Sequence, residues 1–360
     1  MRRAAIVGTG AIASAHAEAL RAAGERIELV AVVDVDADRA AAFAGEWGVP
    51  RVRPRLATLL DEEQLDVVHI CTPPRHHTPL ALECLAANVN VLVEKPPALS
   101  LSEIDTLIAA ERLSSGRVAT VFQHRFGPAA IRLRRLVSEG VLGRSLVAKC
   151  DTLWYRGDAY FDVPWRGTWE NEGGGPTMGH GIHQFDLMLS VLGPWQEIRA
   201  VAARQARAVQ TEDVSMALVT FADGTVASVV NSVLSPRETS ELRFDFDRAT
   251  VEVEHLYGYT DAHWTVTPAP GHDDVVARWR EEQSGMVSGH RCQMAAFLDA
   301  LDSGETPPVT LADTRNTMEF IAALYASAFT GTVVKAGQIG PDSPFYATME
   351  GIGAPWANAR

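Results

Sequence analysis

The most constraining feature of this sequence lies at its start. A short apolar strand, Ala4 to Val7, runs into Gly8-Thr9-Gly10-Ala11-Ile12-Ala13 and then into an alanine-rich helical stretch that stops at Gly24. Gly8 permits the tight turn, Gly10 lets the backbone approach a pyrophosphate, and small Ala13 allows the helix to pack closely on the strand. Phosphates would sit at the helix amino terminus, where free N–H groups and the helix dipole favour anions. The next strand, Glu28 to Val33, ends in Asp34, placed to accept hydrogen bonds from an adenosine ribose. The expectation is a dinucleotide site formed by Gly8, Thr9, Gly10, Ala11, Ile12 and Asp34, with a purely structural turn as the alternative. A carboxylate at Asp34 repels a 2′-phosphate, and Val35 and Asp36 supply no cation beside it, so NAD is expected over NADP. Arg39, one helical turn further on, is the residue that speaks for NADP.

Strand and helix go on alternating. A helix is predicted over 38–47, a variable connection runs through Pro54, a short helix covers 56–61, and a strand runs from Val67 to Cys71. That strand ends in Thr72-Pro73-Pro74, a stiff turn that can wall a bound cofactor, followed by His76, His77 and a helix from about Pro79 to Ala87. Thr72, Pro73 and His76 are read as cofactor contacts; a helix-starting turn with exposed histidines is the alternative. The stretch N-V-L-V-E-K-P-P, Asn90 to Pro97, sets a buried strand whose carboxyl end carries Glu94 and Lys95. Open α/β sheets bind ligands at that end, and the two prolines stiffen the loop that holds the lysine beside a reacting oxygen. A surface lysine in an ordinary turn is the other reading. A helix over 101–114 and a strand from Val118 to Phe122 follow, ending in Gln123-His124-Arg125-Phe126. Gln123 is expected at the cofactor and Arg125 at substrate or cofactor. The fold class is α/β, with a doubly wound dinucleotide-binding domain over 1–126 and a second α/β domain over 127–360.

In the second half, a helix over 128–139 precedes strand-like runs at 145–155, 198–206, 214–221, 225–233, 241–247 and 249–255. Several alternate apolar with polar, which suits an antiparallel sheet with one covered face, and Asp223-Gly224 marks a hairpin. Helices follow over 290–301 and 313–329. An outer sheet face this apolar needs a partner, so a homodimer or homotetramer is expected. Other classes are excluded by composition: 45 acidic against 32 basic residues, a net charge of −13, leave no basic surface for nucleic acid. No apolar run approaches membrane-spanning length. Cys71, Cys84, Cys150 and Cys292 are widely spaced, as suits reduced thiols, and a strand so close to Met1 leaves no room for a signal peptide; the expected compartment is the cytoplasm. The tail from Gly337 carries Phe345, Tyr346 and Trp356, too apolar for a disordered terminus, and is expected to fold over the pocket or onto a neighbouring subunit.

The chemistry is expected in G-G-G-P-T-M-G-H-G-I-H-Q-F-D, Gly173 to Asp186. The glycines read as a flexible loop that comes close to ligand, and His180, His183 and Asp186 share one face of the following helix at i, i+3 and i+6. A metal site and a pair of core histidines are two readings; ligands at this spacing fan around the axis, so no metal is expected. A proton-transfer pair is the third. Tyr155, Tyr160, Trp165, Arg166 and Trp169 offer aromatic faces and a guanidinium for a sugar pocket, with core packing as the alternative for the aromatics.

G-T-G-A-I-A at the start, I-C-T-P-P-R-H-H at Ile70 to His77, E-K-P at Glu94 to Pro96, and the glycine run followed by G-I-H-Q-F-D at Gly181 to Asp186 occur in an order that resembles the Gfo/Idh/MocA oxidoreductases. The resemblance implies a Rossmann domain followed by an α/β domain whose open, mostly antiparallel sheet commonly makes the oligomer interface. It implies hydride transfer between a nicotinamide cofactor and a hydroxyl or carbonyl carbon of a sugar, cyclitol or sugar acid. It also implies that His183 and Lys95 lie near the reacting hydroxyl; the mechanism expected from this has His183 taking the hydroxyl proton and Lys95 stabilising the alkoxide or sharing the proton transfer, with Glu94 shaping the surroundings. Many family members carry an aspartate four residues before this histidine; Gly179 stands there here, and His180 beside it takes over part of the role in this reading. Two other classes stay open: an enzyme using tightly held NAD as a transient or recycled hydride carrier, and a non-enzymatic regulator that senses cofactor and sugar.

Overall fold

The structure is a computed structural model and describes residues 1–357. The chain divides into two compact units, Met1–Val121 with His290–Arg315, and Phe122–Gly289 with the segment from Asn316 on. In the first unit, β1 (Arg2–Val7), β2 (Ile27–Val33), β3 (Arg51–Arg53), β4 (Val67–Ile70), β5 (Asn90–Val93) and β6 (Val118–Thr120) form a sheet in the order β3-β2-β1-β4-β5-β6. All neighbouring pairs are parallel. Their short apolar runs have no polar face, and Ala4–Val7, Val30–Val33 and Val91–Val93 are accordingly buried on both sides. The strand order reverses between β1 and β4, which opens a crevice at their carboxyl ends. Gly8 and Cys71-Thr72 lie there.

Two features differ from the sequence reading. The connection through Pro54 contains the edge strand β3, whose three half-buried residues are too few to show a period. The first unit also ends at Val121 rather than 126 and takes back His290–Arg315. The physical reason is burial: Met294, Phe297 and Leu298 of the helix His290–Ser303 share a core with Ala13, Ala17 and Leu20 of the helix Ala13–Ala22.

The second unit is built on β7 (Ser145–Tyr155), β8 (Trp195–Ala203), β9 (Val214–Phe221), β10 (Val226–Ser232), β11 (Leu234–Phe246), β12 (Ala249–Glu254), β13 (Trp264–Pro268) and β14 (Val334–Lys335). They pair in the order β13-β12-β11-β7-β10-β9-β8-β14, antiparallel except for β7 with β10. Alternation along the strands buries Ala148, Cys150, Ala217, Val219, Phe221, Val229 and Phe244 and exposes Val147, Val201, Met216, Leu218 and Val226. The tail packs on its own unit. Phe345 and Trp356 meet Phe329, and the Trp356 indole donates to the Gln210 carbonyl at 2.8 Å. No helix among the described residues is long and apolar enough to cross a membrane.

Candidate active site

In the first unit, the predicted ligand residues gather on the carboxyl edge of the sheet. Gly8 has φ +88°, and a Cβ there would lie 2.9 Å from the carbonyl of Cys71 and the nitrogen of Thr72, so the turn that follows β1, packed against the end of β4, admits only glycine. A Cβ on Gly10 would meet no described atom within 4 Å; the backbone there faces open space at the start of the helix Ala13–Ala22, whose Ala13 is fully buried. Asp34 accepts from the Thr9 N–H at 2.8 Å, the Thr9 hydroxyl at 2.9 Å, the Asp36 N–H at 3.0 Å, and both arms of the Arg39 fork at 2.6 and 3.1 Å. Burial opposes its ionisation, but Arg39 and these N–H groups outweigh burial and hold the carboxyl at about 2. Arg39 is thereby engaged with Asp34. A glycine cradle beside an ionised acceptor fits a dinucleotide.

The Thr72-Pro73 turn is pinned from behind by His77, which is buried with Nδ1 2.7 Å from the Pro96 carbonyl and Nε2 2.7 Å from the Thr72 carbonyl. Carbonyls only accept, so these contacts ask for a doubly protonated ring, while burial holds its pKa below the ordinary value. His76, by contrast, is exposed. Lys95 follows β5 and is half-buried. Glu94, expected at the cofactor, is instead an interior anchor: it is 5% exposed, its Oε1 accepts from His16 and His290, and its Oε2 accepts from the Lys95 N–H at 3.0 Å. Sequence reading missed His16, His69 and His290, because single histidines in an alanine-rich helix, a buried strand and a later helix carry no spacing signal.

In the second unit, Thr177–Gly181 forms a π-helical turn that continues into the helix Ile182–Leu192. Such wide turns recur at functional sites, and this one shifts His180 off the regular i, i+3 register. His183 is buried, with its ring 5.1 Å from His124 and 5.8 Å from Tyr257; His180 is half-buried, 4.9 Å from Trp154 and 6.0 Å from Tyr160. The Arg166 guanidinium lies 3.7 Å from the Tyr160 ring centre and 4.7 Å from that of Trp165, and Arg156 also covers Tyr160 at 5.4 Å. His180, Tyr160, Trp165 and Arg166 are therefore neighbours, joined by Trp154 and Arg156.

Several expected contacts lie elsewhere. Tyr155 follows Trp154 on β7, where consecutive side chains face opposite ways, and its exposed ring sits under Arg207 at 5.2 Å. Trp169 is core, 5.4 Å from Tyr325 and 6.0 Å from Phe329. Arg125 grips buried Asp186 with both arms, Nε to Oδ2 at 2.7 Å and Nη2 to Oδ1, so its fork is engaged inside the protein. The Gln123 amide donates to the Tyr257 hydroxyl.

The glycine loop also has a different purpose from the one expected. A Cβ on Gly174 would collide with the Tyr325 hydroxyl, one on Gly175 with the Glu212 carbonyl, and one on Gly181 with the Asn231 side chain. These glycines admit protein, not ligand. Glu212 was not foreseen: fully buried, it accepts from the N–H groups of Gly175 and Thr177 at 3.0 Å each and from the Tyr325 hydroxyl at 2.8 Å. Burial pushes its pKa up against those bonds.

Comparison with known proteins settles the family. Residues 2–122 match the oxidoreductase family with an NAD-binding Rossmann fold, and residues 130–252 match the GFO/IDH/MocA C-terminal domain. The chain belongs to the Gfo/Idh/MocA oxidoreductases. It is 28% identical to D-glucoside 3-dehydrogenase of Escherichia coli K12 over 92% of this chain and 97% of that protein. It is 26% identical to D-apiose dehydrogenase of Paraburkholderia graminis, over 94% and 91%. Among solved structures it resembles the WlbA dehydrogenase from Chromobactrium violaceum in complex with NADH and UDP-GlcNAcA, with 25% identity, a TM-score of 0.82, and 95% and 96% of the two chains covered.

As a Gfo/Idh/MocA protein, the chain is an NAD-binding oxidoreductase, and its first unit is the family's Rossmann fold. Gly8, Gly10 and Asp34 are the residues that fit NAD. The geometry explains why: the cradle is closed to a side chain at Gly8, open above Gly10, and charged at Asp34.

Proposed function

We propose that the protein reversibly oxidises a hydroxyl carbon of a sugar, cyclitol or sugar acid, with Lys95 and His183 as its catalytic residues. The observation that carries this reading is the placement of Lys95, which follows β5 on the carboxyl edge of the NAD-binding sheet with its N–H held by buried Glu94 at 3.0 Å. Bound NAD supplies the carbon that takes the hydride. His183 accepts the hydroxyl proton, the Lys95 ammonium stabilises the developing alkoxide, and His180 assists the proton's exit. Tyr160 and Trp154 suit the C–H face of a sugar ring, and Arg166 suits ring hydroxyls or a carboxylate. The names of the two relatives matched along most of their length, a glucoside and an apiose dehydrogenase, support a sugar within that class.

The apolar outer face of the second sheet, with Val201 and Leu218 64% and 66% exposed, supports a homodimer or homotetramer; a monomer mass by light scattering would refute the oligomer. The central test is NADH formation from NAD with methyl glucosides, free aldoses, cyclitols and sugar acids. Lys95→Met should lower kcat about 10²–10⁴-fold and leave the NADH Kd within about threefold. Equal loss of both would make Lys95 structural. Silence across the panel, with NADH still bound, would turn the reading toward a retained hydride carrier or a sensor.

A further inference from the structure

The acid of the E-K-P motif is buried among imidazoles that no motif contains. Glu94 Oε1 lies 3.0 Å from His16 Nε2 and 2.8 Å from His290 Nε2, while its Oε2 takes the Lys95 N–H at 3.0 Å. His16 Nδ1 in turn lies 2.8 Å from His69 Nδ1. All of these groups belong to the first unit.

Chemistry assigns the protons. An ionised carboxylate has none to give, so both Nε2 atoms donate to Oε1. Burial holds His16 and His69 below their ordinary pKa, so both are neutral near pH 7. His16 then presents a lone pair at Nδ1, and the 2.8 Å contact requires His69 to donate from its own Nδ1. His69 Nε2 is left as an acceptor with no hydrogen-bond partner among the described residues, which is cheaper to bury than an unpaired N–H. Burial opposes charge on Glu94, but the bonds from His16 and His290 outweigh it and keep it ionised.

The same three groups have the composition of a metal site, since ligand atoms of His16, Glu94 and His290 lie within 4.8 Å of one another. The proton pattern argues against it. A metal needs lone pairs on both Nε2 atoms, which would move the His16 proton to Nδ1, force His69 to accept there, and bury an N–H at His69 Nε2 without an acceptor.

We propose that His16 and His290 are positioning residues: by sharing one oxygen of Glu94 they aim the other at the Lys95 backbone, and so fix the lysine relative to the cofactor turn. His16 sits on the helix that begins at that turn and His290 at the start of the returning helix, so one carboxylate ties both to the lysine loop, and His16 links β4 to it through His69. The proposal rests on the assignment of Lys95 above.

The test uses the full chain. Nitrogen-15 spectra of labelled histidines should report neutral rings protonated at Nε2 in His16 and at Nδ1 in His69. In His16→Leu the Lys95 amide resonance should shift, the NADH Kd should stay within about threefold, and kcat on the fastest substrate of the panel should fall about 10–100-fold. The groups facing Glu94 are His16, Cys71, His77, Lys95 and His290, with His69 behind His16. With one donor gone, Glu94 ionises less readily, so the acid limb of kcat should move to higher pH; on a Glu94→Gln background the His16 change should no longer move it. His16→Gln, which returns an N–H near the Nε2 position, should recover most of kcat. An activity loss of equal size at every pH without recovery by His16→Gln would reduce the cluster to packing. One equivalent of zinc or iron retained by the protein and lost in His16→Leu would make it a metal site. If Lys95→Met turns over like the parent, the assignment beneath the proposal falls; if Lys95→Met is inactive while the His16 series is normal, the proposal alone falls.

Discussion

The chain has two glycine-rich turns that look alike in sequence and differ in what they admit. At Gly8–Ala13 the glycines bound a space: Gly8 clears the backbone of Cys71 and Thr72, and Gly10 faces open volume beside the ionised Asp34. In the second turn, Gly174, Gly175 and Gly181 are filled by the protein itself, by the Tyr325 hydroxyl, the Glu212 carbonyl and the Asn231 side chain. Glycine reports that something approaches the backbone closely. Whether that is a ligand or another part of the chain depends on tertiary neighbours that the local sequence does not name.

The sharpest way to break this comparison is Gly175→Ala. Its Cβ would meet the Glu212 carbonyl and carboxylate, a clash that neither backbone nor buried carboxylate can relieve cheaply. The expected loss is about 3 kcal/mol, read as a fall in Tm of roughly 6–12 °C, with NADH affinity unchanged in the folded fraction. A Tm within a degree of the parent would mean that the loop is open and the ligand reading of these glycines returns. Gly10→Ala should behave in the opposite sense. Nothing described lies within 4 Å of its Cβ, so Tm should hold, while the NADH Kd should weaken about tenfold, or about 1.4 kcal/mol, because the methyl occupies the approach to the pyrophosphate. Loss of Tm with unchanged Kd would make the first turn structural as well.

How much was legible follows from the same contrast. Periodicity and punctuation revealed the alternating strands and helices of the first unit, and β7 and β9 of the second agree with the predicted ranges because long alternating strands carry their own signal. Short elements such as β3 and β14 carry none. Of the site, Gly8, Asp34, Lys95, His180 and Arg166 could be singled out because each sits in a motif or beside a chemical neighbour in sequence. Arg125 and Trp169 misled: a cation and an aromatic near a motif look available until Asp186 and Tyr325, 61 and over a hundred residues away, are seen to occupy them. Glu212 and the histidines around Glu94 were invisible for the converse reason, since they act through partners distant in sequence.

Gly179 is where the two kinds of glycine can be told apart most finely. It lies in the π-helical turn, yet unlike Gly174, Gly175 and Gly181 its Cβ would meet no described atom within 4 Å. The self-packing rule therefore stops at this residue, next to His180 and four before His183. Gly179→Asp restores the carboxylate that many members of the family carry there. Stability should change by no more than about 0.5 kcal/mol, since nothing is displaced. The new charge should favour the imidazolium form of whichever histidine it faces and raise its pKa by about one unit. Oxidation needs a neutral histidine to take the hydroxyl proton, so the acid limb of kcat/KM should move up by about that one unit, with the plateau above it unchanged within about threefold. An unmoved limb with unchanged Tm would place the carboxylate away from both histidines; a fall in Tm would put Gly179 with its packed neighbours after all.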